Sequence, residues 1–334
     1  MTLASPLRLP LLGALLGLHL AAPAAPVRFD TTPRAGQHQR QSIDMQMAMT
    51  MRAEAGPEAT EAQRAKIAQT AAQMSQAGPV KMAMRMQQTL KVGAADADGW
   101  LPLTVSVAHQ GGSMEVGGQA TPLPQVQAAN VSFSARFNPK DFGFELRQFD
   151  GGSPEVNALM GQQGQAMIGE ALQLYKALAE RPLQVGDSVE VPLTMALPMP
   201  LPGGAGAMQG RLRYTLARVA QGVAHFDLDM DLKMDISAPL PKPAASAASS
   251  AEADPVDAAD TPPQTLQMTA TGSGKGTSSL RLSDRLPLAH RLAMAMKLTM
   301  NGPDNGRMFI DMDMRMQSKG ESLAKPAAKK KKAS

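Results

Sequence analysis

Thioethers are the most distinctive donors in this chain, and their spacing is regular. Methionine recurs at every second position in Met45, Met47, Met49 and Met51, in Met82, Met84 and Met86, in Met294 and Met296 leading to Met300, and in Met312, Met314 and Met316 after Met308. Period-two spacing puts these side chains on one face of a β-strand. Three kinds of chemistry suit such a face. The plainest is a core in which Met supplies the volume that aromatic residues, here 3% of the chain, would otherwise provide. The second is a cavity for an apolar or lipid-like ligand, since flexible thioethers adapt to varied apolar shapes. The third is a site for Cu(I) or Ag(I), because soft donors select soft monovalent metals. The candidate cavity residues are Met45, Met47, Met49, Met51, Met82, Met84, Met86, Met294, Met296, Met312 and Met314.

Other residues with chemical potential read more simply. Asp227, Asp229, Asp231 and Asp235 alternate on a strand without the glycine-bearing loop of a calcium site. They are expected on a solvated face, with Asp229 opposite Arg213 and Asp231 opposite Arg211. Asp311 and Asp313 are read the same way, opposite Lys297. The stretch Gly272-Ser273-Gly274-Lys275-Gly276-Thr277 resembles a phosphate loop superficially, but Gly follows the Lys and both flanks read as strands, so a hairpin turn is expected there. Gly204 and Gly206 precede a strand, not the helix of a dinucleotide fingerprint. His38, His109, His225 and His290 lack metal-ligand spacing, and there is no Gly-x-Ser-x-Gly elbow. No catalytic signature, resident metal or cofactor is implied, and a non-enzymatic protein is expected.

These residues must be positioned by strands. Alternation predicts strands near 41–53, 80–92, 100–109, 112–116, 130–138 and 142–149, then near 188–196, 208–219, 223–236, 265–270, 277–283, 288–300 and 307–317. Matching the apolar faces of the 208–236 pair calls for an odd-length turn, so a three-residue loop Ala220-Gln221-Gly222 is expected, with Gly222 at positive φ. A helical insert is expected at 58–77, ended by Gly78-Pro79. The main helix is expected at 153–180, with Ser153 as cap and Pro154 at its first position. The fold class is therefore mainly β (α+β): one large curved antiparallel sheet or half-barrel, with the main helix packed on it. Residues 238–263, rich in Pro, Ala and Ser, read as a flexible loop within this single domain of residues 25–323.

The ends suggest export. Arg8, the apolar run Leu9–Ala21 and the small residues Ala22-Pro23-Ala24 read as a signal peptide cleaved after Ala24, which places the protein in the periplasm or outside the cell. There is no cysteine for a lipid anchor or a disulfide, and no later stretch reads as a transmembrane helix. The formal charge of +4 is terminal: without Arg8, Lys325 and Lys329–Lys332 the body carries −2, so no nucleic-acid partner is expected. The tail 324–334 is expected to be disordered, and its lysines Lys329–Lys332 suit weak contact with an anionic membrane.

Val185-Gly186-Asp187-Ser188 entering a strand, Arg213-Tyr214-Thr215-Leu216 before Val219-Ala220-Gln221-Gly222, and Gly274-x-Gly276 leading to Leu280-x-Leu282 resemble an uncharacterised family of exported bacterial proteins of unknown function. The layout is also similar, more loosely, to the half-barrel of periplasmic lipoprotein carriers. That resemblance implies a curved antiparallel sheet closing over helices around an apolar cavity. An apolar or lipid-like ligand is therefore the leading expectation. Cu(I)/Ag(I) binding and a structural or assembly role with an envelope protein are the alternatives.

Overall fold

A computed structural model of the chain describes residues 25–123, 130–150, 172–198, 205–239, 265–302 and 305–323. The protein is mainly β. Twelve strands form one antiparallel sheet: β1 (His38–Ala55), β2 (Val80–Val92), β3 (Leu101–Val116), β4 (Gln119–Pro122), β5 (Asn130–Asn138), β6 (Gly143–Asp150), β7 (Ser188–Pro198), β8 (Ala205–Ala220), β9 (Val223–Pro239), β10 (Thr265–Arg281), β11 (Leu286–Asn301) and β12 (Gly306–Ser322). Their order is β6-β5-β3-β2-β1-β12-β11-β10-β9-β8-β7, with β4 beside β3. The sheet is not closed: β6 pairs only with β5, and β7 only with β8. A strand of 17 residues such as β9, β10 or β12 spans roughly 55 Å at about 3.3 Å per residue. The expected signal peptide, the first part of the main helix, the loop after Pro239 and the lysine tail lie outside the described residues.

Among the described residues two helices accompany the sheet. The first, α1 (Glu61–Ala77), starts at Thr60, whose hydroxyl accepts from the Gln63 backbone while the Gln63 side chain accepts from the Thr60 backbone. This reciprocal cap satisfies two amides that the helix cannot, and Gly78, at φ 67°, ends it. Its apolar face is thin, and none of its residues is buried. The second, α2 (residues 172–180), is the described part of the expected main helix.

Two clusters of the packed core stand toward opposite ends of the strand order, while other buried residues such as Leu232, Ile236 and Leu286 lie in neither. One joins Val189, Val191, Tyr214, Leu216, Phe226 and Leu228 of β7–β9 to Leu178 of α2 and to Phe29 and Leu183. Phe29 is almost fully buried, with its ring 5.3 Å from that of Phe226, and Tyr214 meets Phe226 edge-on at 6.0 Å. The other cluster holds Val92, Leu101, Leu103, Ala135 and Phe137 of β2, β3 and β5, with Leu172 of α2 packed against it. Helix α2 thus touches both halves of the sheet. The segment before β1 is tied down as well: Val27 pairs with Leu183, Arg34 donates to the Ser283 carbonyl, and Arg285 pairs with Asp30 and Thr32. Burial alone would raise the pKa of Asp30, but the Thr32 hydroxyl and the Arg285 charge outweigh it and hold the carboxyl below its usual value.

Three local expectations need correction. The strands expected at 265–270 and 277–283 are one strand, β10, and no hairpin interrupts it at Gly272–Thr277. This stretch keeps the period of a strand, with Gly272, Gly274 and Gly276 on one face and Ser273, Lys275 and Thr277 on the other, and it pairs on both sides throughout. The glycines are required by closeness and not by a turn. A Cβ at Gly274 would come 3.0 Å from Met230 Cε, and one at Gly276 would come 2.1 Å from the Arg291 carbonyl. Likewise the strands expected at 100–109 and 112–116 are the single strand β3. Gln110 is passed over in the pairing, because Met86 pairs with His109 and Arg85 with Gly111, whose φ is 130°.

The β8–β9 turn has two residues, not three, since Ala220 pairs with Val223 and both Gln221 (φ 51°) and Gly222 (φ 74°) are left-handed. The expected register survives because Ala217 is bulged out between Leu216 and Arg218, which supplies the odd residue. Arg213 is opposite Asp229 and Arg211 opposite Asp231, as the face matching requires.

Candidate functional site: the methionine face

Sheet register gathers the methionines from four distant stretches of chain. Met47 on β1 is opposite Met82 on β2 and Met314 on β12; Met314 in turn is opposite Met294 on β11. The row continues outward through Met114 on one side and through Gly274, Met230, Leu212 and Val191 on the other. One step along the strands, Met45 lies between Met84 and Met316. One step the other way, Met49 faces Met312, which faces Met296. Met51 is opposite Ile310, and Met86 is opposite Ile43. All eleven candidate methionines therefore share one apolar face and, at its centre, stand as direct neighbours.

This field is not the packed core. The two buried clusters are built from Leu, Val, Phe, Tyr and Ala, and among the described residues Met230 is the one buried methionine. The eleven candidates are all half-buried. Their thioethers are neighbours of one another along and across the strands, and among the described residues neither buried cluster includes them as the cluster on β7–β9 includes Leu178 and Phe29. On β10 the row meets Gly272, Gly274 and Gly276, opposite Met296, Met294 and Leu292, where neighbouring atoms such as Met230 Cε take the space that a side chain would need.

A cavity of about 310 Å³ lies at the α2 end of the same face. Leu174, Tyr175 and Leu178 form its roof, and Ile43, Phe226 and Met316 are among the sheet residues beneath. Gln41, Ser278, Ser279, His290 and Ser318 line it with polar side chains. Burial lowers the His290 pKa below its ordinary value and raises that of Tyr214, so both groups favour their uncharged forms.

A larger opening, about 1010 Å³, belongs to the opposite face. On β3 it touches Ser113 and Glu115 but not Met114, and on β8 it touches Arg211 and Arg213 but not Leu212. Met47, Met82, Met294 and Met314 border it because their strand backbones form its floor, while period two sends their side chains the other way. Five cations and five carboxylates line it, so it has no net charge and gives no basis for attracting a polyanion. Some of these charges are paired: Lys81 lies 2.9 Å from Glu115, Arg211 lies 3.7 Å from Asp231, and Arg213 turns away from Asp229 to Glu190. Lys297 is opposite Asp311 as expected, but Asp313 is opposite Ala295. Exposed pairs of this kind contribute little to stability.

Sequence reasoning missed Phe29 and Arg285, which lie in segments without periodicity. A lone Phe in an aromatic-poor chain was the only available signal. Among the described residues there is no group of three or more His, Asp or Glu placed to hold a metal, and no helix is long and apolar enough to cross a membrane, which says nothing of crossing by strands. No family model and no curated protein matches the chain. Solved structures with some likeness include Pseudomonas aeruginosa OccK5 (OpdH), 6% identical with a TM-score of 0.25 over 88% of this chain and 100% of that one. Another is a mutant of Rh. blastica porin, 5% identical with a TM-score of 0.23 over 84% of this chain and 99% of that one. Likenesses of this size define neither the fold nor the function of this chain.

Proposed function

We propose that this is an exported, non-enzymatic periplasmic protein that holds an apolar or lipid-like ligand against its methionine face. The observation that carries the reading is the contrast between two tightly buried clusters and the half-buried methionine field between them. A face built only for stability is expected to be fully buried; these eleven methionines are half-buried. The contact of α2 with both clusters, which stand at opposite ends of the strand order, supports a sheet curved so that its two ends approach one helix. The cavity under α2, at about 310 Å³, matches the lower end of ligand-site volumes, roughly 300–1,000 Å³, and continues into the field through Met316 and its neighbour Met45. Neutral tyrosines and a neutral histidine around it suit an uncharged or weakly polar occupant.

Two measurements test this. Mass spectrometry of organic extracts from the purified protein is expected to show a co-purifying lipid or fatty acid. Uptake of the fluorescent probe N-phenyl-1-naphthylamine is expected to be saturable, and to weaken when Leu174→Trp fills the space under α2. Extracts free of lipid, together with no probe uptake, would sink the proposal.

A further inference from the structure

We infer that the centre of the methionine face is a binding site for a soft monovalent cation, Cu(I) or Ag(I), with Met47, Met82 and Met314 as its donors and Met294 next to them. The inference uses the same face as the apolar-ligand reading but does not rest on it. Period-two methionine within one strand is what a core also demands, so spacing alone decides nothing. The cross-strand register adds what the spacing lacks. It brings three thioethers from residues 47, 82 and 314, far apart along the chain, to directly opposed positions on three adjacent strands. Opposed residues have Cβ atoms about 4.5–5.5 Å apart. Met47 stands at that separation from each of the other two, which are about 10 Å apart across it; all three flexible side chains can turn their sulfurs toward a point above Met47, and Met45 and Met49 flank the set one step along β1.

The surroundings suit that ion and disfavour others. In the rows that hold these donors, the neighbours are further Met residues, Leu, Val and Gly, with no carboxylate or imidazole to draw a hard or borderline divalent cation. The sulfurs are half-buried, so an ion can reach them, yet the site is apolar enough to keep water from competing well. A thioether carries no proton to displace, unlike the thiolate, imidazole and carboxylate ligands whose metal affinity falls with acidity. Binding is therefore independent of pH across the range in which a histidine or carboxylate site would be lost.

The test is a competitive titration of the whole protein with Ag(I), and with Cu(I) under a reducing agent and a Cu(I)-specific chelator. The triple variant M47L/M82L/M314L is compared with wild type. Leucine conserves volume, so the fold is retained while the sulfur donors are removed. The expected result is a loss of at least about tenfold in affinity for both ions in the triple variant, no change in Met74→Leu on α1, and equal wild-type affinity at neutral and mildly acidic pH. Methyl-¹³C-methionine NMR of wild type, which needs no variant to fold, is expected to show the Met47, Met82 and Met314 signals shifting first. Equal affinity in wild type and triple variant, or shifts no larger at these three than at Met74, would overturn the inference. Probe uptake that persists while metal binding fails leaves the apolar-ligand reading standing, and the reverse removes that reading alone.

Discussion

Truncating Leu178 tests whether α2 really clamps the sheet. The side chain is 4% exposed and sits in the cluster with Phe226, Tyr214 and Leu183. Leu178→Ala removes three carbon groups at about 0.8 kcal/mol each, or roughly 2.4 kcal/mol of transfer free energy. The space left behind adds to this, giving about 2–5 kcal/mol for a site that relaxes only partly. Each kcal/mol shifts the Tm of a large domain by about 2 °C, so a fall of roughly 4–10 °C is expected. Urea and thermal melts followed by far-UV circular dichroism measure the change. Trp100, which stacks against Arg136 at 4.4 Å near the other cluster, gives an independent reading from the far end of the sheet. Both signals are expected to move together, because Leu172 packs against that second cluster while Leu178 packs against the first. Leu178→Met, which keeps the volume, should cost under about 1.5 kcal/mol. A cost below about 1 kcal/mol for Leu178→Ala, or a Trp100 transition unchanged while the dichroism transition falls, refutes the clamp.

Two further outcomes follow from particular contacts. Deleting Ala217 removes the bulge but leaves both the two-residue turn and the pairing of Leu216 with Phe226 in place, so a stability change within about 1 kcal/mol is expected. Deleting Leu216 instead moves Ala217 opposite Phe226, a Leu-to-Ala change at a fully buried site, and should cost about 2–5 kcal/mol; equal damage from both deletions in urea melts would show that the bulge itself is needed. The lowered pKa of His290 means that, as pH falls through its ordinary value of 6.5, the unfolded chain takes up more protons at this group than the folded one, so stability drops with acidification. His290→Asn should flatten that part of the pH–stability curve, and an unchanged slope would place the titration elsewhere.

Much of the sheet was legible in the sequence because strand alternation is a local property. Val80–Val92 and Asn130–Asn138 have the bounds expected, and the apolar face was assigned correctly wherever large and polar residues alternate. The reading failed where glycine carries two meanings. At 272–276 it was taken for a turn signal, whereas each glycine lies between bulky residues of β9 and β11, and that crowding is invisible until the neighbours are known. The Ala220-Gln221-Gly222 loop failed differently: parity required one extra residue, but nothing local said whether it would enter the turn or a bulge at Ala217.

The amino-acid sequence by itself determined that this protein would be β-rich and that its methionines would share a face, since both follow from a period of two. Only the tertiary structure decided which methionines become neighbours. Met47 meets Met314 because β1 pairs with β12 across nearly the whole chain, a choice set by total burial and register over many residues and by no local pattern. The same long-range pairing left the methionine field between two packed clusters and put an opening of about 1010 Å³ on the opposite, polar face.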